Sequence, residues 1–228
     1  MDTRALGNVF ESQGISRLTV ERPAGFVHKP GQVAALALGR DEIGYFAIAT
    51  PPGEPILEFL VKRAGADPRM LGVGANDHIE VRGPFGAGFD VPPHALDDDA
   101  RLLFVGAGTA LAALRPAMIV ASRSHPLARL GLVVGVRALA DLAFADEIAA
   151  WSDGGMTVRI VVSGPDPTAP APRRGWVQDH VADLMRPGTR LFLAGSDQLE
   201  DAVEAVALGA GMPRAAIQRN FRPDSRSS

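Results

Sequence analysis

Residues 102–110, with the sequence LLFVGAGTA, join a continuous apolar run directly to a glycine-containing turn. Such a run is typical of a strand that is buried on both faces of a parallel sheet. A helical stretch follows the turn, and apolar strands recur at 130–136, 157–162 and 191–193. Helix candidates lie between these strands at 141–151 and at 177–185, where apolar residues recur at helical spacing. Strands that alternate with helices predict a doubly wound parallel sheet in this half of the chain.

The preceding half of the chain has a different rhythm. Residues 15–20 alternate apolar and polar side chains with the period of a strand, and no helical period occurs before residue 95. Turns that contain proline or glycine separate further strand-sized segments, which lie at 33–38, 45–49, 56–62 and 78–82. Closely spaced strands with turns between them favour a small antiparallel barrel.

A linker joins the two halves. Residues 90–100 include Pro92-Pro93 and three consecutive aspartates, Asp97 to Asp99, as expected for a solvated connection. We therefore predict two domains, a barrel at residues 1–96 and an α/β domain at residues 100–228.

The composition limits the classes of function. The 228 residues carry a net charge of −3, which disfavours nucleic-acid binding. No apolar run reaches the ~18 residues of a membrane span, and the N-terminus has no secretory apolar core, so we expect a cytoplasmic protein without membrane contact. Because the chain has no cysteine and its five histidines lack metal-ligand spacing, we expect no metal or iron–sulfur site.

Two turns are candidate ligand sites. In an open α/β sheet, ligands bind beyond the carboxyl ends of the strands, where glycines let the backbone approach a phosphate and the next helix offers free N–H groups. Residues 106–109 (GAGT) form such a turn, although Leu111 stands where a full dinucleotide motif has its third glycine. We expect the second strand-to-helix turn, at residues 194–197, on the same edge of the sheet. The alternative is a pair of tight turns without a ligand, with Asp197 as a plain helix cap.

Three other features leave alternatives open. Arg137 follows the second strand of the parallel sheet, and it either binds a nucleotide phosphate or forms a structural ion pair. Arg173 and Arg174 lie in a proline-rich loop, and they either meet a 2′-phosphate or are exposed loop residues. Pro116 either marks a late helix start or kinks a helix.

Several motifs occur in an order that makes the chain recognisable. They are HKPGQ at 28–32, GYFAIATP at 44–51, EFLVK at 58–62, GPFG at 83–86, GAGT at 106–109, GVR at 135–137 and AGS at 194–196. In this order they resemble the ferredoxin–NADP reductase-like family of FAD- and NAD(P)-binding oxidoreductases, and the chain looks most like the small stand-alone members. The resemblance extends from Arg17 to Phe221.

The resemblance implies a six-stranded antiparallel barrel that binds FAD, followed by a nucleotide-binding parallel sheet. The flavin would lie between them, and a nicotinamide dinucleotide, NADH or NADPH, would be the second cofactor. The cofactor contacts that follow from the resemblance and from the turns are Tyr45, Phe46, Ala47, Ile48, Ala49, Thr50, Leu60, Val61, Lys62, Gly65, Ala66, Asp67, Pro68, Gly106, Gly108, Thr109, Arg137, Gly195, Ser196 and Asp197. Because the flavin would supply the chemistry, no side chain need act as an acid or base.

The chain departs from the family pattern at positions that touch the cofactors. The departures are Gly44 for the arginine at the FAD pyrophosphate, Phe46 for the stacking tyrosine, Ala47 for the serine at flavin N5, Pro68 for a phosphate-binding serine and Ala194 for the cysteine near the nicotinamide. Lys62, Arg63 or Arg69 could replace the lost pyrophosphate charge.

Two hypotheses about function follow. The first is a flavin-dependent oxidoreductase that passes electrons between NAD(P)H and an acceptor, with an electron-transfer protein as the candidate partner. The alternative is a non-catalytic nucleotide-binding or partner-binding module that kept the reductase fold and lost the flavin chemistry. The missing arginine, serine and cysteine motivate this alternative.

Overall fold

The chain folds around two β-sheets, which follow one another in the sequence. A computed structural model describes residues 1–93, 100–166, 168 and 173–221. Within these residues the first sheet has six strands and the second has five. No helix in the described ranges is long and apolar enough to cross a membrane.

The first sheet is antiparallel and closes on itself. Its strands run in the order β4-β3-β6-β1-β2-β5. The edge strands β4 and β5 meet through a bridge between Ile48 and Phe59 and a hydrogen bond from the Ala49 N–H to the Glu58 carbonyl (2.8 Å), which closes the barrel. The elements of this unit are β1 (Asp2–Ser12), β2 (Ile15–Glu21), β3 (Val33–Leu38), β4 (Asp41–Ala47), β5 (Ile56–Lys62), the short helix α1 (Pro68–Gly72) and β6 (His78–Phe85).

The second sheet is parallel, with helices on both of its faces. Its strands run in the order β11-β10-β7-β8-β9, and every residue of β8 is buried. One face packs on α2 and α3, and the other on α4 and the turns at 177–185. The elements are β7 (Leu102–Ala107), α2 (Leu111–Ser124), β8 (Leu130–Val136), α3 (Ala145–Asp153), β9 (Thr157–Val162), β10 (Arg190–Ala194), α4 (Asp197–Gly209) and β11 (Ile217–Arg219). The fold class is therefore confirmed.

Some predicted elements were wrong in detail. The segment 177–185, whose apolar spacing indicated a helix, forms two 3₁₀ turns, Val177–His180 and Ala182–Leu184, because its side chains fill the space between the sheet and α4. Of the two alternatives for Pro116, the late helix start was wrong, because Pro116 lies inside α2. Strand β1, helix α1 and strand β11 were not predicted. The aspartates 97–99 lie outside the described residues, and the domain boundaries at 96 and 100 remain a prediction.

The two sheets share packed side chains and backbone contacts. Phe89, from the end of the first unit, packs edge-on against Phe192 of β10, with 5.5 Å between ring centroids. At the tip of the β1–β2 hairpin, the Gln13 N–H donates to the Ala140 carbonyl (3.0 Å). The buried His125 ring bonds through Nε2 to the Pro92 carbonyl (2.9 Å), which holds the start of the linker on the second unit.

Candidate functional site

A cleft of about 580 Å³ lies where the first sheet meets the carboxyl edge of the second. Ligand sites in proteins commonly have volumes of roughly 300–1,000 Å³. The residues that line it are Val33, Ile43, Gly44, Tyr45, Phe46, Ala47, Leu60, Val61, Lys62, Ala64, Gly65, Ala66, Asp67, Met70, Ala107, Thr109, Ala110, Gly195, Ser196, Asn220 and Phe221. Both units therefore contribute to its walls.

Strand β4 forms the first wall, and a β-bulge shapes it. Leu36 pairs with Gly44 whereas the next residue of β3 pairs with Glu42, so Ile43 is an extra residue in β4. Bulges bend a strand and redirect its side chains. At Gly44 φ is +156°, a backbone conformation that residues with a side chain rarely adopt. The backbone conformation at this bulge therefore favours a glycine at position 44, where the family has an arginine.

The aromatic residues of β4 contact different parts of the molecule. The Tyr45 ring lies 5.6 Å from the Phe85 ring and 5.9 Å from the Phe221 ring, measured between centroids. Phe46 packs against the core of the first sheet, whereas Ala47 packs against the core that contains α2. Residues 45–47 therefore join the two units at the wall of the cleft.

The end of β5 and the loop that follows it supply the charges of the cleft. Asp67 caps α1, and its hydrogen bonds with Arg69 hold the pKa of the Asp67 carboxyl below its ordinary value. Arg69 also pairs with Asp41 (2.7 Å). Arg63 donates to the Ser16 hydroxyl (2.9 Å). Of the three proposed replacements for the missing arginine, only Lys62 lines the cleft, and no described residue pairs with its ammonium group.

The two strand-to-helix turns form the second wall, side by side. Gly106 at the end of β7 is paired with Ala194 at the end of β10, which confirms that the turns share one edge of the sheet. Ala107 and Thr109 line the cleft from one turn, and Gly195 and Ser196 line it from the other. The start of α2 follows directly, and Ala110, the residue before that helix, also lines the cleft.

The start of α4 differs from the predicted capping pattern. Ser196, not Asp197, is the N-cap, and its hydroxyl accepts a hydrogen bond from the Leu199 N–H (3.3 Å). The buried Glu200 carboxylate accepts a hydrogen bond from the Gly195 N–H (3.2 Å). The cap is thus shifted by one residue, and Glu200 holds the turn that lines the cleft.

Several predicted contacts lie outside the lining of the cleft. Gly106 has a packing role, because a Cβ there would lie 2.6 Å from the Ala194 carbonyl oxygen. Thr50 is buried, and its hydroxyl accepts a hydrogen bond from the Glu58 N–H (2.6 Å). Pro68 is the first residue of α1, where a missing N–H is harmless. The other predicted residues that do not line the cleft are Ile48, Ala49, Gly108, Arg137 and Asp197.

The arginines beyond the cleft differ in their surroundings. Arg137 is exposed at the end of β8, and no carboxylate of the described residues pairs with it. Arg174 donates to the Asp166 carbonyl (2.5 Å), and Arg173 is exposed. The nucleotide-binding alternatives for these residues remain predictions.

Sequence reasoning missed several residues that line the cleft. Ile43, Met70, Asn220 and Phe221 all line it. Asn220 has a buried side-chain Oδ1 that accepts no hydrogen bond from any described residue. An acceptor without a donor in the wall of a cleft fits a ligand that brings an N–H group. The only signal in the sequence was the position of residues 220–221 just after the final strand.

A second, more open crevice of about 860 Å³ lies on the other side of Asn220 and Phe221. Its acidic residues are paired, since Glu204 forms ion pairs with Arg214 and Arg219. Its walls come from α4, from residues 214–221 and from Gly86 and Ala87 just after β6, and neither strand-to-helix turn lines it. The cleft between the sheets is therefore the better candidate site.

Proteins of similar sequence are reductases. The chain is 28% identical over 222 residues to ferredoxin–NADP reductase B of Sorangium cellulosum, covering 88% of each chain. It is 33% identical over 161 residues to the reductase subunit of an aromatic O-demethylase from Amycolatopsis, covering 68% of this chain and 47% of that protein. No model of a protein family matches the chain.

Solved structures of reductases have a fold similar to that of this chain. A cytochrome P450 reductase of Amycolatopsis superimposes with a TM-score of 0.82 at 26% identity, over 98% of this chain and 70% of that one. The chain is therefore similar to ferredoxin–NADP reductases in sequence and in fold. A ferredoxin–NADP⁺ reductase from Neisseria gonorrhoeae with bound FAD and NADP has the same fold, with a TM-score of 0.75 at 16% identity over 97% of this chain and 98% of that one. In this reductase-like fold, the cleft is the place where the two units meet.

Proposed function

We propose that the chain is a flavin-dependent oxidoreductase that holds FAD in the cleft between the sheets and exchanges electrons with NAD(P)H. The observation that carries this proposal is the cleft itself, which both the β4–β5 wall and the two strand-to-helix turns line. A flavin and a nicotinamide must lie against each other for hydride transfer, and a cleft with one wall from each unit suits that requirement.

The residues that line the cleft support FAD as the proposed cofactor. Tyr45, Phe46 and Ala47 would lie along the ring, and Leu60, Val61 and Lys62 along the rest of the cofactor. Residues 65–67 would approach the pyrophosphate, with Lys62 as the compensating cation. The cleft volume of about 580 Å³ and the unsatisfied Oδ1 of Asn220 support this assignment.

The side chains of the cleft would act by position rather than by proton transfer. When bound, FAD supplies the hydride and electron chemistry. Ala47 and Ala194 have no group that donates or accepts a proton, and Lys62 and Asp67 lie at the loop end of the wall. The apolar residues Phe46, Leu60 and Phe221 would orient the ring and exclude water from it.

The electron acceptor that we propose is a separate electron-transfer protein. The relatives named above are a ferredoxin–NADP reductase and a reductase subunit, each of which is named for a role in electron transfer. This chain has no cysteine, so an iron–sulfur centre in the same electron path would have to be held elsewhere.

Cofactor analysis of the purified protein tests the proposal. We expect a yellow protein with near-stoichiometric FAD, or a flavin-free protein that binds added FAD. Stopped-flow reduction by NADH and then by NADPH would identify the nicotinamide donor. A protein that carries no flavin and binds none on addition would contradict the proposal.

The lack of a free arginine among the described residues near the proposed pyrophosphate site favours the non-catalytic alternative. The family's arginine is replaced by Gly44 in a bulge, and Arg69 is already paired with Asp67 and Asp41. Failure to bind FAD together with retained binding of a nicotinamide nucleotide would support the alternative. Isothermal titration with NAD⁺ and NADP⁺ measures that second property directly.

A further inference from the structure

Arg115, in the second turn of α2, reaches from the second unit into the first. Its side chain is only 14% exposed. Its Nη1 donates hydrogen bonds to the Ala49 carbonyl (2.8 Å) and to the Glu58 carboxylate (2.9 Å). Both acceptors belong to the first unit, so a single guanidinium crosses the interface.

The other side of the guanidinium is held within the second unit. Its Nε donates to the Glu147 carboxylate of α3 (2.6 Å). The guanidinium carbon lies 4.4 Å from the centroid of the Phe144 ring, at a distance typical of a cation–π contact. The planar group is therefore fixed by carboxylates, a carbonyl and an aromatic face together.

The acceptors of Arg115 lie next to the proposed flavin strand. Ala49 follows the segment 45–47 that lines the cleft, and it is bonded to the Glu58 carbonyl where the barrel closes. Arg115 itself is five residues beyond Ala110, which lines the opposite wall. One side chain thus connects the two elements that carry the walls of the cleft, at residues just beyond its lining.

We propose that Arg115 is a positioning residue, which sets the separation of the two walls and thereby the approach of nicotinamide to flavin. This inference rests on the proposed function. Transfer between two bound groups depends steeply on their geometry, and a displacement of about 1 Å can lower a rate roughly 100-fold. Lysine could not replace the arginine fully, because an ammonium group lacks the planar fork that reaches two acceptors.

An exposed ion pair on the same helix provides a matched control. Arg123 of α2 pairs with Glu54 of the first unit at 3.7 Å, and the two side chains are 60% and 43% exposed. It crosses the same interface, but its partner lies in the turn before β5 and not at the barrel closure of residues 48–49 and 58–59. Exposed pairs contribute little, so its loss should leave the walls in place.

The variants Arg115→Met, Arg115→Lys and Arg123→Met test the inference. We expect Arg115→Met to reduce its flavin about 100-fold more slowly with NAD(P)H, while the Kd for FAD changes less than about threefold. Arg115→Lys should be intermediate, and Arg123→Met should match the wild type. In the flavin-free protein, amide hydrogen exchange should quicken in residues 45–50 and 106–110 together for Arg115→Met only.

Several results would overturn this role for Arg115. They are a wild-type reduction rate in Arg115→Met, an equal loss in Arg123→Met, or a loss confined to FAD affinity. If Arg115→Met does not fold, Arg115→Lys carries the same measurements, because it keeps a positive charge between Glu58 and Glu147. If the wild type binds no flavin, the proposed function fails, whereas hydrogen exchange still decides whether Arg115 couples the walls.

Discussion

Single residues of the cleft explain how a chain without the family's arginine and serine could hold the proposed cofactor. Gly44 lies in a bulge with a backbone angle that a side chain would strain, so an arginine could not occur there without a change in β4. Pro68 is harmless because it begins α1. The charge that the pyrophosphate needs would come from Lys62, at the end of β5.

Replacing Lys62 should weaken cofactor binding. A charge-assisted phosphate contact is worth more than a neutral hydrogen bond, so we expect the Kd of Lys62→Met for FAD to rise roughly tenfold. Fluorescence titration of the flavin-free protein with FAD measures this Kd. Arg63→Met is the control, since Arg63 donates to Ser16 instead. Equal affinities for Lys62→Met and the wild type would show that the pyrophosphate is bound by other groups.

His28 should make the protein less stable in weak acid. Burial lowers the pKa of His28 from its ordinary value of 6.5, the hydrogen bond to the Thr50 carbonyl opposes that shift, and Arg22 adds to it. The His28 ring therefore binds a proton more readily in the unfolded chain than in the folded chain. Stability should be complete above pH 6.5 and should fall as the pH drops from there through the folded pKa.

The variant His28→Gln should show a shallower loss of stability between neutral and weakly acidic pH. Urea unfolding at a series of pH values measures the free energy of unfolding for each protein. His78→Gln, at an exposed position of β6, is the control and should follow the wild type. A slope that is the same in His28→Gln and the wild type would rule out His28 as the source.

At the scale of elements, the carboxyl ends of β7 and β10 determine where the second wall of the cleft lies. The strands approach closely because Gly106 has no side chain, and the Leu114 side chain of α2 fills the space above it. Because the two strands lie so close, the turns that follow β7 and β10 are neighbours. Gly106, the first glycine of the turn motif at residues 106–109, is therefore a packing residue.

Adding one methyl group at Gly106 should force β7 and β10 apart. In Gly106→Ala the new Cβ would lie 2.6 Å from the Ala194 oxygen and 2.8 Å from Leu114 Cδ1. We expect the free energy of unfolding to drop by about 1–3 kcal/mol, as in other overpacked cores. Chemical denaturation measures it, with Gly209→Ala, where a Cβ meets nothing within 4 Å, as the control. Equal stability of both variants would mean that β7 and β10 can separate without penalty.

At the scale of the whole molecule, the two units are joined through a common core and through buried charges. Ala49, Leu60 and Phe89 of the first unit pack in one cluster with Phe104 and Phe192 of the second. Arg17 and Arg115 both pair with Glu58 at the interface. A substitution that destabilises one unit should therefore lower the stability of the other.

A core substitution in the barrel should lower the stability of the parallel sheet as well. Leu57 is fully buried in the first core, and Leu57→Ala should cost about 2–5 kcal/mol. Both tryptophans, Trp151 and Trp176, lie in the second unit, so their fluorescence reports its unfolding. We expect the midpoints by fluorescence and by far-ultraviolet circular dichroism to fall together. A fluorescence midpoint that stays at the wild-type value would mean independent units, and Leu6→Ala, at an exposed position, is the control.

Local patterns in the sequence were sufficient for the class of fold. The apolar runs at 102–105 and 130–136 predicted buried parallel strands, and they are β7 and β8, because a strand covered on both faces needs apolar side chains throughout. The order of short motifs likewise indicated a reductase-like chain. These signals depend only on neighbours along the chain.

The composition of the cleft depended on contacts between distant residues, which no local pattern carries. Asn220 and Phe221 reach the cleft because β11 pairs with β10, and Arg115 reaches Ala49 because α2 packs against the barrel closure. The same applies to segment 177–185, where packing against the sheet and α4 replaced the helix that its spacing indicated. Sequence periodicity describes which face of an element is apolar, whereas docking between elements decides which side chains meet.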